Sequence, residues 1–515
     1  MPIRMTGMVS GLDTDSIVKE LVSAYSTKKE KYEKEQTKLG WKQEIWKSLN
    51  KEVNSFYKSV GNLRFDSGYN TKKTTSSDST KATVSASGNA TVGTQKLHVL
   101  STAQSGYLTG AEIKTTANEK VTTSTKLSDL GVTADEITFN VGPANNSASG
   151  TTKQIKVGKD STISDVVNQL KDAGLNANFD AGNGRFYLSS SDSGYATDFN
   201  ITADSSDTNS TTLLNALGLG KTAKKIDGSD AVIVLNGVKY TSTTNNFSIN
   251  GLSISVNGVT DKVDDLENVD VDALDDSKAV SISTTTDTQG IYDKIKDFLT
   301  SYNNIINKMT KLYNADSAKN YEPLTDDEKS QMSDSEVEKW ETKIKDSLLR
   351  RDSNLSTIMN AMTTSMTKAI SINGKNYSLS SFGISTLGYM NSAENEQNAY
   401  HIDGDEENTS GNKDKLMAAL SSDPDTVIDF MKQLSTNLYT AIDKQMQSNS
   451  LRSRYSIYND KEMTSQYTSY TKTIAEWETK ISDKEDYYYK KFSKMETALS
   501  KLNSQTSSLS GMFSS

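Results

Sequence analysis

The segment that decides the fold is WKSLNKEVNSFYKSVGNL, residues 46–63. Large apolar side chains recur in it at alternating steps of three and four residues, with mostly Lys, Glu, Asn and Ser between them. Because residues three and four apart share one face of a helix, the pattern predicts a helix whose apolar stripe needs a partner helix. This predicted helical-bundle stripe consists of Trp46, Leu49, Val53, Phe56, Val60 and Leu63.

A second stripe occupies IAEWETKISDKEDYYYKKFSKMETALSKLNSQTSSL, residues 474–509, which as a helix would be about 54 Å long. Helical spacing also begins at Thr14. Neither terminal helix is apolar enough to be buried alone, so each should pack along its stripe, first of all against the other terminus. An ordinary bundle helix is the alternative interpretation. The predicted assembly residues of the terminal helices are Ile17, Leu21, Ile474, Trp477, Ile481, Tyr488, Phe492, Met495, Leu499, Leu502 and Leu509.

Between residues 77 and 286 the helical spacing gives way to short β-branched runs separated by turn residues. Asn-Gly favours a type I′ hairpin turn because both positions tolerate positive φ, so three such dipeptides within residues 231–259 predict a β-meander. STISDVVNQLKDAG, residues 161–174, predicts a short helix that ends at Gly174, followed by a hairpin. The three Asn-Gly dipeptides begin at Asn236, Asn250 and Asn257.

Helical patterns return over residues 291–312, 335–370 and 414–447. We therefore predict a multidomain α+β fold with a terminal helical coiled coil, a helical-bundle domain with a small β element, and two antiparallel β domains, one inserted in the other. The predicted domains are residues 1–40 with 470–515, 41–76 with 287–469, 77–109 with 226–286, and the inserted 110–225.

Composition excludes several function classes. The chain has 515 residues, a net charge of −9 and no cysteine. Net acidity argues against a nucleic-acid partner, and the missing cysteines exclude disulfides and thiol nucleophiles. No apolar run is long enough for a membrane span or a signal peptide, which alone indicates a cytoplasmic protein unless export uses an uncleaved signal.

Candidates for catalysis or metal binding are few. His98 lies in an alternating run and is expected in a sheet, and His401 precedes an acidic loop. That loop, residues 403–414, has acids at the first, third, fifth and twelfth positions of a calcium-loop frame, but Asn408 replaces the required glycine. We therefore expect a solvated loop, no metal, no cofactor and no catalytic residue.

Four colinear stretches carry a family resemblance: SGLDTDSIVKELVSA at residues 10–24, the region 231–259, YEPLTDDEKSQMSDSEVEKWETKIKDSLLRRDSNLSTI at 321–358, and the closing stripe at 474–509. Together they resemble the bacterial flagellar filament-cap family, also called the filament-capping hook-associated proteins. The third stretch is similar to caps of the Firmicute type.

The resemblance implies a non-enzymatic cap at the distal end of the flagellar filament. Both termini would form a leg and the distal β domains a plate, with about five subunits in a ring that retains exported flagellin and promotes its folding and insertion. The implied partners are flagellin, hook–filament junction proteins and an export chaperone for the C-terminal helix, with no nucleic acid and no membrane insertion. Export would follow the flagellar type III pathway. An adhesin that binds host mucin or glycans through the distal β domains is the alternative.

Overall fold

A computed structural model describes residues 9–144 and 151–513 and divides the chain into two compact units. The helical unit comprises Met1–Tyr69 with Thr288–Ser515, and the β unit comprises Asn70–Asp287. All strand pairs in the described residues are antiparallel, and the predicted multidomain α+β class is confirmed. Residues 1–8 and 514–515 of the predicted terminal domain, and 145–150 of the predicted insertion, lie outside the described residues.

The helices begin and end close to sequence signals for capping. Asp13 caps the first helix by accepting a hydrogen bond from the Ser16 N–H, and Thr162 and Asp165 form a reciprocal capping box on the second. The helices are α1 (Thr14–Asn62), α2 (Ile163–Asp172), α3 (Ser210–Ala216), α4 (Thr288–Asn314), α5 (Asp326–Ser330), α6 (Asp334–Ser347), α7 (Ser353–Met366), α8 (Lys415–Ser422), α9 (Pro424–Gln445) and α10 (Asp460–Phe513).

Two helices predicted as continuous are broken. The pattern over 335–370 is divided between α6 and α7, because Arg351 adopts a left-handed φ of 55° and Asp352 caps α7. The pattern over 414–447 is divided between α8 and α9 at Pro424, whose ring favours the first turn of a new helix. In contrast, α1 runs without interruption across residue 40, where a domain boundary is predicted. The domain boundaries themselves stay a prediction.

The strands of the described residues form six small sheets. Their bounds are β1 (Lys72–Ser76), β2 (Ala82–Ala86), β3 (Gly93–Ser101), β4 (Tyr107–Thr109), β5 (Ile137–Pro143), β6 (Lys153–Val157), β7 (Leu175–Asp180), β8 (Arg185–Ser190), β9 (Phe199–Ala203), β10 (Lys224–Ile226), β11 (Ala231–Leu235), β12 (Val238–Ser242), β13 (Asn246–Ile249), β14 (Leu252–Val256), β15 (Val280–Thr286), β16 (Ile370–Ile372), β17 (Lys375–Tyr377), β18 (Ile384–Ser385) and β19 (His401–Ile402). In the β unit the strand orders are β1-β15-β3-β11-β12, β13-β14-β2, β10-β4-β8-β7 and β6-β5-β9.

The single β-meander predicted over residues 231–259 is wrong. β11 and β12 form a hairpin in the five-stranded sheet, whereas β13 and β14 form a hairpin in the three-stranded sheet. The turns at Asn236 and Asn250 are as predicted, with φ of 49° and 47°. Asn257 makes no such turn, because the chain leaves the sheet after β14.

The β unit contains two main apolar cores. One is built from β2, β3, β11, β14 and β15, together with their neighbours. The other draws its residues from 108–219, a stretch that lies in sequence between the two parts of the first core, and packs α2 and α3 against the remaining two sheets. Gly174, with a φ of 101°, ends the α2 region as predicted and leads directly into β7.

Candidate assembly interface

The helical unit joins the two ends of the chain through an antiparallel pair, α1 and α10. Gln36 donates from Nε2 to the Thr471 hydroxyl at 2.6 Å, and the Tyr489 hydroxyl donates to Asp15 Oδ1 at 2.8 Å. A later residue of α1 thus pairs with an earlier residue of α10, and an earlier residue of α1 with a later one of α10, so the two helices run in opposite directions. Tyr489 therefore has a hydrogen-bond partner within the chain.

The carboxyl-terminal part of α1 lies in the core of the helical unit. Trp46 is 1% exposed and stacks on Tyr458, with ring centroids 5.2 Å apart and planes 8° from parallel. Of the predicted stripe, only Leu63 is half-buried, because it follows the last residue of α1. The buried members are Trp46, Leu49, Val53, Phe56 and Val60.

The amino-terminal part of α1 packs through a face different from the predicted one. Val18 and Val22 are buried, whereas Ile17 is half-buried and Leu21 is 43% exposed. Val18 directly follows Ile17 in the sequence, and Val22 directly follows Leu21. Sequence spacing alone therefore allows two apolar stripes about 100° apart around the helix. Packing against α10 selects the second stripe. A role for Ile17 and Leu21 in assembly stays a prediction.

Trp477 is the aromatic centre of the α1–α10 contact. Its ring lies 6.3 Å from that of Tyr25, and the ammonium groups of Lys28 and Lys480 lie 5.3 and 4.5 Å from its centroid. The predicted α10 residues that are half-buried in the chain are Ile474, Trp477, Ile481, Tyr488, Phe492, Met495 and Leu499.

A buried glutamate of α10 contacts the start of the described chain. Glu496, 9% exposed, accepts hydrogen bonds from the N–H groups of Val9 and Ser10 at 2.8 and 3.3 Å, and from the Ser10 hydroxyl. The Ser10 hydroxyl and the Val9 N–H hold the pKa of Glu496 below its ordinary value, because they stabilise the carboxylate. Sequence reasoning missed this residue, since a glutamate beside an apolar stripe resembles a solvated position.

α10 continues beyond Glu496 to Phe513. We call residues 497–513 the projecting end; at ~1.5 Å per residue it is about 25 Å long. Every side chain from residue 500 to 510 is exposed, including Leu502 at 60% and Leu509 at 54%. The last two predicted assembly residues therefore have little contact within the chain. An amphipathic helix end of this kind is suited to docking on another apolar surface.

Neither histidine belongs to a metal site. His98 is buried in β3 with Nδ1 2.8 Å from Asp261 Oδ2, and His401 Nδ1 lies 2.6 Å from Glu406 Oε2. Across residues 9–144 and 151–513, no group of three or more His, Cys, Asp or Glu side chains could hold a metal ion.

Three of the four acids in the calcium-loop frame have partners within the protein. Asp403 accepts a hydrogen bond from the Asn412 amide at 2.8 Å, and Asp414 caps α8. Asp405 contacts the Lys296 ammonium at 3.1 Å. These contacts favour an ordered surface loop over a calcium site. In the part of the chain that the structure describes, no helix is apolar over a length sufficient to cross a bilayer.

These features define a multidomain α+β protein whose termini are joined in one long helical pair with a projecting end. Two family models match the chain: Flagellar hook-associated protein 2 N-terminus over residues 10–106, and Flagellar hook-associated protein 2 C-terminus over residues 228–504, more than half of the chain. The chain belongs to the flagellar hook-associated protein 2 family, which confirms the predicted resemblance.

The chain is similar to several known proteins. Flagellar hook-associated protein 2 of Halalkalibacterium halodurans is 24% identical over 99% of this chain and 100% of its own length. Flagellar hook-associated protein 2 of Thermotoga maritima is also 24% identical, over 69% of this chain and 53% of its own length. Among solved structures, the D1-D2-D3 domains of the flagellar cap protein FliD from Escherichia coli are 18% identical, with a TM-score of 0.44 over 76% of this chain and 94% of that one.

Proposed function

We propose that this chain is a structural subunit of the flagellar cap, at the distal end of the filament, where it retains exported flagellin and promotes its folding and insertion. Family membership supports a role in the flagellum. The observation that carries the proposal further is the projecting end of α10. Its exposed leucines continue the apolar stripe whose earlier residues are half-buried within the chain.

The energetics suit a contact that forms and breaks repeatedly. Burying a leucine completely is worth about 1.5–3 kcal/mol. Leu502 and Leu509 are 60% and 54% exposed, so docking would gain roughly 1–1.5 kcal/mol from each. A few such residues give a specific but weak attachment, and a cap must move whenever a flagellin subunit is inserted beneath it.

The proposal includes several partners. The projecting end would meet flagellin, or hook–filament junction proteins before the filament grows, and an export chaperone would cover α10 during secretion. Copies of the chain would form a ring of about five subunits. Export would follow the flagellar type III pathway without a cleaved signal, for which a chain free of cysteine is well suited because it must travel unfolded.

The test uses a strain that lacks the gene and is complemented with Leu499→Asp plus Leu502→Asp. The matched control, Ser500→Asp plus Ser504→Asp, adds the same charges at exposed positions on the opposite side of the helix. We expect the leucine variant to be exported but to leave flagellin in the medium and filaments short, whereas the serine variant supports normal filaments. Normal filaments from the leucine variant would contradict the proposed function.

A second candidate, glycan adhesion, is favoured by one surface of the β unit. Tyr107 and Tyr187 are 53% and 42% exposed, and they line a shallow cavity of about 240 Å³ together with Asn176 and Asn178. Exposed aromatic rings beside amides can stack on sugar rings and bond their hydroxyls. Mucin binding by the full chain that disappears in Tyr107→Ala plus Tyr187→Ala would support adhesion, and the absence of any binding would remove it.

A further inference from the structure

One loop of the helical unit presents two large apolar side chains to solvent. Tyr389 and Met390 are 82% and 88% exposed, whereas no other large apolar residue in the described part of the chain exceeds 60%. They lie between β18 and β19, in a turn where Gly388 has a φ of 77° and its carbonyl accepts from the Ser392 N–H. We call this pair the Tyr–Met knob. Neighbouring apolar side chains exposed in this way are typical of a site of protein–protein contact.

The same unit contains a groove between α1 and α4 that has an apolar floor and a volume of about 590 Å³. Phe56 and Ile305, 3% and 7% exposed, form its floor. Its walls include small side chains, among them Ser48, Ser59 and Ser301, which leave room for an inserted side chain. We call it the α1–α4 groove. Its size is that of a site for one or two large side chains.

The segment that carries the knob is anchored on one side of α4. Asn303 exchanges hydrogen bonds of 2.7 and 2.8 Å with the backbone of Tyr400, just before β19, and Asn314 donates to Asn395. At ~100° per residue, Asn303 and Asn314 are within about 20° of each other around the helix, and Ile305 is about 160° from Asn303. These anchors and the floor of the groove therefore lie on different sides of α4, and the exposure of the knob shows that it does not fill the groove of its own chain.

The charges around the two features are complementary. The knob loop, residues 387–397, contains Glu394 and Glu396 and no basic residue. Glu394 lines a cavity with lysines of its own chain, so Glu396 supplies the acidic charge of the loop. In the groove, Glu52 is neutralised by Lys308 at 2.5 Å, so Lys51 leaves the lining with a positive charge. A loop with an acidic side chain and a groove with a basic one would attract each other in the right orientation.

We propose that the Tyr–Met knob of one subunit inserts into the α1–α4 groove of a second copy of this chain. This contact is head to tail, and repeated head-to-tail contacts produce closed rings or helical filaments. The inference rests on the proposed function, because a cap made of several copies needs such a contact, and it identifies the residues that make it.

Cross-linking tests the contact in the full chain, which contains no natural cysteine. A variant with Met390→Cys is mixed with one carrying Ser301→Cys and treated with a short bismaleimide. We expect a covalent dimer of the two variants, far above the amount formed when Met390→Cys is mixed with Ser421→Cys, an exposed position on α8. Equal yields from the two mixtures would overturn the proposal.

A disruption experiment gives a second readout. Tyr389→Ser plus Met390→Ser should leave the circular dichroism spectrum unchanged and reduce the oligomer mass measured by light scattering, whereas Val238→Ser, an exposed apolar position in the β unit, should not. Unchanged oligomers in the knob variant would refute the knob–groove contact. The proposed function would still stand if filament growth depends on Leu499 and Leu502, so the two failures are distinguishable.

Discussion

The packing of α1 predicts that Val22→Asn loosens the terminal helix pair much more than Leu21→Asn. Val22 is 3% exposed, so its replacement forfeits about 1.5 kcal/mol of burial and leaves a buried amide at a cost of roughly 1–3 kcal/mol. Leu21 is 43% exposed, so its replacement forfeits about 1 kcal/mol, and the new amide can reach water. Leucine has a higher helix propensity than valine, so the propensity cost is larger for Leu21→Asn by a few tenths of a kcal/mol and works against the expected difference between the two variants.

Hydrogen exchange measured by mass spectrometry over residues 14–28 reads the opening free energy of this segment. A loss of about 3 kcal/mol in Val22→Asn should accelerate exchange roughly 100-fold, and about 1 kcal/mol in Leu21→Asn roughly 5-fold, since 1.4 kcal/mol is a factor of ten. Exchange that is faster in Leu21→Asn than in Val22→Asn would show that the face chosen by sequence spacing is the buried one.

Three further results are expected. Glu496→Gln should abolish the acid sensitivity of the contact between α10 and residues 9–10. The carboxylate, with its lowered pKa, stabilises the folded state above about pH 4.5 and loses that effect as the pH falls through the lowered value. Hydrogen exchange at the amides of residues 9–10, corrected for intrinsic rates, measures this pH dependence. Trp46→Ala should destabilise the helical unit by about 3–5 kcal/mol in denaturant unfolding followed by circular dichroism, and a loss under 1 kcal/mol would contradict its place in the core. Gly237→Ala should cost the β unit about 1 kcal/mol from backbone strain alone, because φ is 80° and no atom lies within 4 Å of the added methyl; an unchanged melting temperature would contradict this.

The hairpins of the β unit show how far local chemistry reaches. Asn236 and Asn250 each place a hairpin turn correctly, because the preference of Asn-Gly for positive φ belongs to two adjacent residues. Which sheet each hairpin joins depends on β2 and β3, more than a hundred residues earlier in the chain. Spacing within residues 231–259 carries no information on that choice, so one meander was predicted where two sheets exist.

The candidate interface follows the same division. By itself, the sequence determined that both ends of the chain are amphipathic helices, that the middle is antiparallel β structure, and which family the chain belongs to, because periodicity, turn residues and motifs are local properties. Only the tertiary structure decided that Val18 and Val22, rather than Ile17 and Leu21, face α10. It also decided that Glu496 meets Val9 and Ser10, because the alignment of two antiparallel helices depends on how all their contacts fit together.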